Sequence, residues 1–114
     1  GKSMKIVISS QGEEKDSLMD SRFGRCEYFC IYNTEDGNFK VIENTAVNSS
    51  AGAGVEAANL VLKENINAVV TGNVGPHANE VLKRSNIKIF TSDLKKISDI
   101  IEEYKENKLK EFNS

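Results

Sequence analysis

Twice in its second half the chain runs an amphipathic segment into an Asn and then into a short apolar run. Glu64-Asn65-Ile66 leads to Ala68-Val69-Val70-Thr71, and Ser85-Asn86-Ile87 leads into Ile87-Lys88-Ile89-Phe90. Asn is the best residue other than Gly for the left-handed conformation that ends a helix, so both sites read as helix-to-strand connections of one kind. The preceding segments carry the matching 3.6-residue period. Val55–Glu64 places Ala57, Ala58, Val61 and Leu62 on one face, and Pro76–Ser85 does the same with Ala78, Val81 and Leu82. A helix stripe and a buried strand each need the other as cover, so this pattern dictates an α/β layer.

The first half predicts three strands without helices. Met4–Ser9 is apolar enough for the middle of a sheet. Glu27–Thr34 and Phe39–Glu43 flank Asp36-Gly37, a hairpin signal for a type I′ turn. Leu94, Ile97, Ile100, Ile101 and Tyr104 mark a last amphipathic helix, with Ser92 or Asp93 as its cap. The expected order is β-β-β-α-β-α-β-α, an α/β fold with three helices and a five-stranded mixed sheet. Right-handed crossovers would set the first, fourth and fifth strands side by side and parallel, with the second and third antiparallel beyond the first. Residues 1–3, ahead of Met4, read as an expression remnant; 4–109 form one domain, and 110–114 a charged, frayed tail.

At 114 residues with 28% charged side chains and a net charge of -2, the chain has room for one core and offers no basic footprint for nucleic acid or membrane. No apolar run approaches the ~20 residues that span a bilayer. The simplest expectation is a cytoplasmic protein. Cys26 and Cys30 are too few for a disulfide framework; on one strand they would share a face roughly 13 Å apart, too far to bond.

In an open α/β sheet, ligands bind beyond the carboxyl ends of the strands. Four segments are expected there: Ser21-Arg22-Phe23-Gly24-Arg25, the Gly52-Ala53-Gly54 start of the first helix, the turn Gly72-Asn73-Val74-Gly75-Pro76-His77, and Thr91-Ser92-Asp93. Gly72 and Gly75 would admit a ligand to the backbone, or simply make a tight turn. His77 would stand beside a positive helix end, or in solvent. Arg22 and Arg25 suit an anion because they keep their charge, though Phe23 could equally anchor a loop whose arginines are solvated. Cys26, next to Arg25, could have a lowered thiol pKa or serve only as packing, whereas Cys30 reads as buried.

Enzyme signatures are missing. The domain has no nucleophile elbow, no Gly-Lys-Ser/Thr phosphate loop and no Cys-x-x-Cys, and its first strand carries Lys5 and Ser9 where a two-metal nuclease needs a carboxylate. The expectation is a binding protein and not an enzyme.

Two motifs in order, Ser21-Arg22-Phe23-Gly24-Arg25-Cys26-x-x-Phe29 and Thr71-Gly72-Asn73-Val74-Gly75-Pro76-x-Ala78 followed by Leu82 and Ile87–Phe90, resemble the dinitrogenase iron–molybdenum cofactor biosynthesis family in its short, stand-alone NifX/NafY-type form. The resemblance runs from Met4 to about Tyr104. It implies the ribonuclease H-like motif, in agreement with the element order. It also implies a non-catalytic binding or carrier protein for an iron–sulfur or iron–molybdenum cluster or its precursor, with a cluster-donor or acceptor protein as partner. Contacts would come from Arg22, Phe23, Gly24, Arg25, Gly52, Gly54, Gly72, Asn73 and Gly75, and metal ligation from Cys26 and His77. The alternative is a module for a small anion or nucleotide-like ligand without metal. Many family members carry His where Arg22 stands, which replaces a potential ligand by a cation, and the His77 position varies.

Overall fold

The computed structural model describes residues 4–49 and 52–112; residues 1–3 and 113–114, expected as remnant and tail end, lie outside these. The elements are β1 (Lys5–Ser10), β2 (Tyr28–Asn33), β3 (Phe39–Glu43), α1 (Ala53–Leu62), β4 (Ala68–Thr71), α2 (Pro76–Arg84), β5 (Lys88–Thr91), α3 (Ile97–Lys105) and β6 (Lys110–Glu111). They form one sheet in the order β3-β2-β1-β4-β5-β6. The run β1, β4, β5 is parallel, while β2 is antiparallel to β1 and β3 to β2, as the crossover argument requires.

Strand alternation sorts the core into two layers. Val7, Phe29, Ile31, Val69 and Ile89 point to one face, where Ala57, Ala58 and Val61 of α1 and Ala78 and Leu82 of α2 cover them. Ile6, Ile8, Cys30, Ala68 and Val70 point to the other, beneath Ile97, Ile100 and Ile101 of α3. β1 is therefore buried on both faces, which is why its sequence is an unbroken apolar run. Each fully buried large aliphatic contributes about 1.5–3 kcal/mol. The helix-ending Asn residues behave as expected: Asn65 and Asn86 have φ of 58° and 62°, and Asn107 repeats the device after α3 at 58°.

Four expectations need correction. The sheet has six strands, not five, because part of the expected tail pairs antiparallel with β5 and the Phe112 amide donates to Ile89 O at 2.7 Å. An edge strand held by backbone bonds leaves no apolar alternation to read, and Lys110-Glu111 has none. The hairpin stands where expected but is no type I′ turn. Gly37 alone has positive φ, 77°, and its amide reaches back four residues to Asn33 O at 2.8 Å. α1 begins two residues earlier than Val55.

The fourth correction concerns α3, which starts at Ile97 with Lys96 as N-cap, and Leu94 is 57% exposed. Ser92 and Asp93 do not cap it, since a strap from Gln11 to Asp20 does so with its backbone. Ser17 O accepts from Ile97 N and Lys15 O from Ser98 N, both at 2.9 Å, and Met19 N donates to Lys95 O. These bonds satisfy amides that a helix start otherwise leaves orphaned. Met19 is fully buried, and the Lys15 ammonium lies over Phe39 at 5.3 Å.

Candidate functional site

Where β1 and β4 end, the loops leaving them meet. Arg22 and Asn73 form a parallel bridge, and Phe23 N donates to Asn73 O at 3.4 Å. The Ser21–Cys26 loop and the Gly72–His77 turn are thus neighbours at the carboxyl edge, as strand order predicts. The start of α1 joins them. A Cβ added to Gly24 would lie 2.9 Å from Gly54 Cα, and one added to Gly54 3.3 Å from Ala78 Cβ. A Cβ on Gly72 would meet Ser21 Cβ at 2.7 Å. Gly24, Gly54 and Gly72 therefore let three chain segments touch one another, and the space beside them is filled by protein.

Gly75 differs. It has an extended N-cap conformation (φ -69°, ψ 163°), and an added Cβ would meet nothing within 4 Å. α2 has neither a side-chain cap nor an acid in its first turn. α1 also lacks a side-chain cap but carries Glu56 in its first turn, whose carboxylate accepts from the Ser49 hydroxyl. Of the two neighbouring helix starts, α2 keeps the undiluted positive end. His77, in that first turn, is exposed.

The arginines have divided tasks. Arg22 folds back on Asp20, with Nε to Oδ1 and Nη2 to Oδ2 both at 3.1 Å. Asp20 is only 6% exposed, and its hydrogen bond and charge push the Arg22 pKa further up. Arg25 instead donates from Nη1 to Val47 O at 2.8 Å and Ser49 O at 3.1 Å, both neutral acceptors, and forms no ion pair among the described residues. Both line a cleft of about 410 Å3 with Gln11, Glu27 and Leu94.

Cys26 is not available to a ligand. It is fully buried against Phe23 and Phe29, and burial pushes its thiol up to about 12, the opposite of the lowered value that Arg25 suggested. Nor does it share a face with Cys30: it precedes β2 and packs in the α1/α2 layer, while Cys30 packs under α3. Both are free thiols. Phe23 is buried and packs on Phe29 with ring centroids 5.3 Å apart.

Two residues escaped sequence reasoning. Asn44, buried, donates to Cys26 O at 2.9 Å and Gly24 O at 3.2 Å while accepting from Ala46 N at 3.0 Å. It clasps the arginine loop to the segment after β3. Asp20 anchors Arg22. The spacing Asp20-x-Arg22 allows an Asx turn, here Arg22 N to Asp20 Oδ1 at 2.9 Å, and was the one visible signal. Beneath them Ser9 Oγ donates to Asp20 O at 2.5 Å and shares a 2.7 Å hydrogen bond with Thr71 Oγ1, fixing the ends of β1 and β4.

Helices on both faces of a mixed sheet, with glycine-joined loops and two neighbouring helix starts at one edge, define a small three-layer α/β domain with its open chemistry at that edge. The chain belongs to the dinitrogenase iron–molybdenum cofactor family, whose model matches residues 4–107. It is 34% identical to an uncharacterized protein of Methanocaldococcus jannaschii, over 97% of this chain and 93% of that one. Among solved structures it is similar to the apo form of the orange protein from Desulfovibrio gigas (TM-score 0.93, 25% identity, 100% of this chain and 97% of that). It is also similar to a candidate NifB protein from Thermotoga (TM-score 0.85, 31% identity, 97% of each chain).

Proposed function

We propose that the protein holds an anionic iron–sulfur or iron–molybdenum cluster, or a precursor of one, as cargo at the loop edge, without catalysing a reaction on it. The observation that carries this reading is the start of α2, where a Cβ on the N-cap Gly75 would meet nothing within 4 Å and the helix has neither a side-chain cap nor an acid in its first turn, on the loop edge that also carries Arg25. Such a helix start favours an anion by about 0.3–1 kcal/mol through its dipole, before any direct hydrogen bond is counted. The family's link to the iron–molybdenum cofactor gives the anion its chemistry. The orange protein, named for a colour and described in an apo form, is a relative that such cargo would suit.

Direct ligation fits poorly. Among the described residues no three of His, Cys, Asp and Glu gather to hold a metal ion, and Cys26 is sealed in the core. Hydrogen bonds from backbone amides and charge from Arg25 would hold the cargo, with the exposed side chains of Asn73 and His77 in the neighbouring turn. A cluster-donor or acceptor protein is the partner such a carrier requires. Among the described residues no helix is long and apolar enough to cross a membrane.

The test is anaerobic purification followed by reconstitution with iron and sulfide, with molybdate added in a second arm. Metal analysis and absorption spectra should show a coloured, metal-loaded protein. A protein that stays colourless and metal-free in both arms, yet binds sulfate with chemical-shift changes at Gly75–Ala78, would replace this reading with the metal-free anion module.

A further inference from the structure

At the far end of the sheet from the loop edge lies a cleft of about 730 Å3, larger than the one beside the arginines. It opens where β4 and β5 begin and α3 ends. Phe90 and Tyr104 form its floor, their rings meeting edge to face at 85° with centroids 5.5 Å apart. Asn86 and Asn107 stand on its rim, each in a left-handed turn. The backbone explains why a permissive residue sits at each position, but Gly would satisfy it with less strain. What the turn leaves over is two side-chain amides, and neither bonds to another part of the chain among the described residues. Lys88 and Lys105 line the same cleft against a single acid, Glu111; Lys88 pairs with no carboxylate among the described residues, while Lys105 meets Glu102 at 3.3 Å.

We propose that this cleft binds a nucleobase carrying a single phosphate. The aromatic floor offers a surface for a flat ring, since every base has a π-face. A side-chain amide presents a donor and an acceptor side by side, which matches the edge of a heterocycle, and here there are two. Lys88 supplies the charge for the phosphate, and the volume lies within the roughly 300–1,000 Å3 of small-molecule sites. The site shares no residue with the loop edge, so it stands or falls apart from the cargo reading.

Full-length protein would be titrated with adenosine monophosphate, adenosine and inorganic phosphate while amide and aromatic resonances are followed by NMR. The mononucleotide should move the side-chain amide signals of Asn86 and Asn107 and the ring signals of Tyr104. Phosphate alone should leave them in place. The double variant Asn86→Gly/Asn107→Gly keeps both left-handed turns, so it should melt like the parent while losing affinity about tenfold. Lys88→Gln should weaken the mononucleotide but not adenosine. The proposal is overturned if millimolar mononucleotide leaves the rim unmoved, if phosphate alone moves the same signals equally, or if the folded Asn-to-Gly variant binds as tightly as the parent.

Discussion

Gly75→Asp should make the protein more stable and, at the same time, empty its loop edge. The position has N-cap geometry, and a new Cβ would enter open space, so no repacking opposes the change. Asp at an N-cap accepts from the second or third helical amide, here His77 or Ala78. Over Gly this gains a few tenths of a kcal/mol, and the charge at the dipole adds about 0.3–1 kcal/mol. The sum, about 0.5–1.3 kcal/mol, corresponds to a Tm rise of about 2–5 °C in a domain of this size. The same carboxylate takes the amides that the cargo would use and repels an anion, so loading should fall more than tenfold. Thermal melts and metal content after reconstitution measure the two effects on one sample. Gly75→Asn separates them, since it caps without charge and should lose less loading. If the Asp variant loads like the parent, the cargo does not sit at α2 and the proposed site is wrong.

Gly72→Ala should cost about 2–3 kcal/mol, read as a lower denaturant midpoint at constant slope, because its Cβ would fall 2.7–2.8 Å from Ser21 and force two backbones apart; an unchanged midpoint would mean the junction is loose. A thiol reagent at neutral pH should find both cysteines after denaturation and almost none in the native state. The Cys26 thiol is raised from its usual value near 9 to about 12, so the stability it contributes is complete below pH 9 and is lost as pH climbs toward 12. Cys26→Ala should flatten that alkaline decline, and an identical decline would assign it to other groups. Arg25→Ala should lower loading with little change in Tm, whereas Arg22→Ala should lower Tm more, since it strips the buried Asp20 carboxylate of its counter-ion; equal melting of the two variants would refute that division.

Much of this was legible because local chemistry and the global fold agree. Asn65 and Asn86 announced their turns, and the apolar stripes of α1 and α2 matched a strand run already buried on both faces. With the strand order given, the meeting of the arginine loop and the Gly72 turn followed. What was not legible depends on distant backbone. The start of α3 is fixed by carbonyls some eighty residues away in the chain, so the exposed Leu94 was read as part of its stripe. Of the glycines that looked open to a ligand, Gly24, Gly54 and Gly72 are closed by Gly54, Ala78 and Ser21, contacts that a linear motif cannot reveal. Cys26 sits next to Arg25 in sequence, yet its side chain faces the core while the guanidinium reaches out to Val47. The short edge strand at Lys110-Glu111 leaves no pattern because its side chains are exposed and only its backbone is bound.

The strap over α3 joins one face of the molecule to the loop edge. Ser17 and Lys15 lend their carbonyls to the first amides of the helix, while Ser9 and Asp20 tie the other end of the strap to β1. Lifting the strap would therefore unravel the helix start and free Arg22 from its buried anchor in one event, a cooperative unit smaller than global unfolding. In hydrogen exchange, the amides of Gln11, Met19, Ile97 and Ser98 should open with a common free energy.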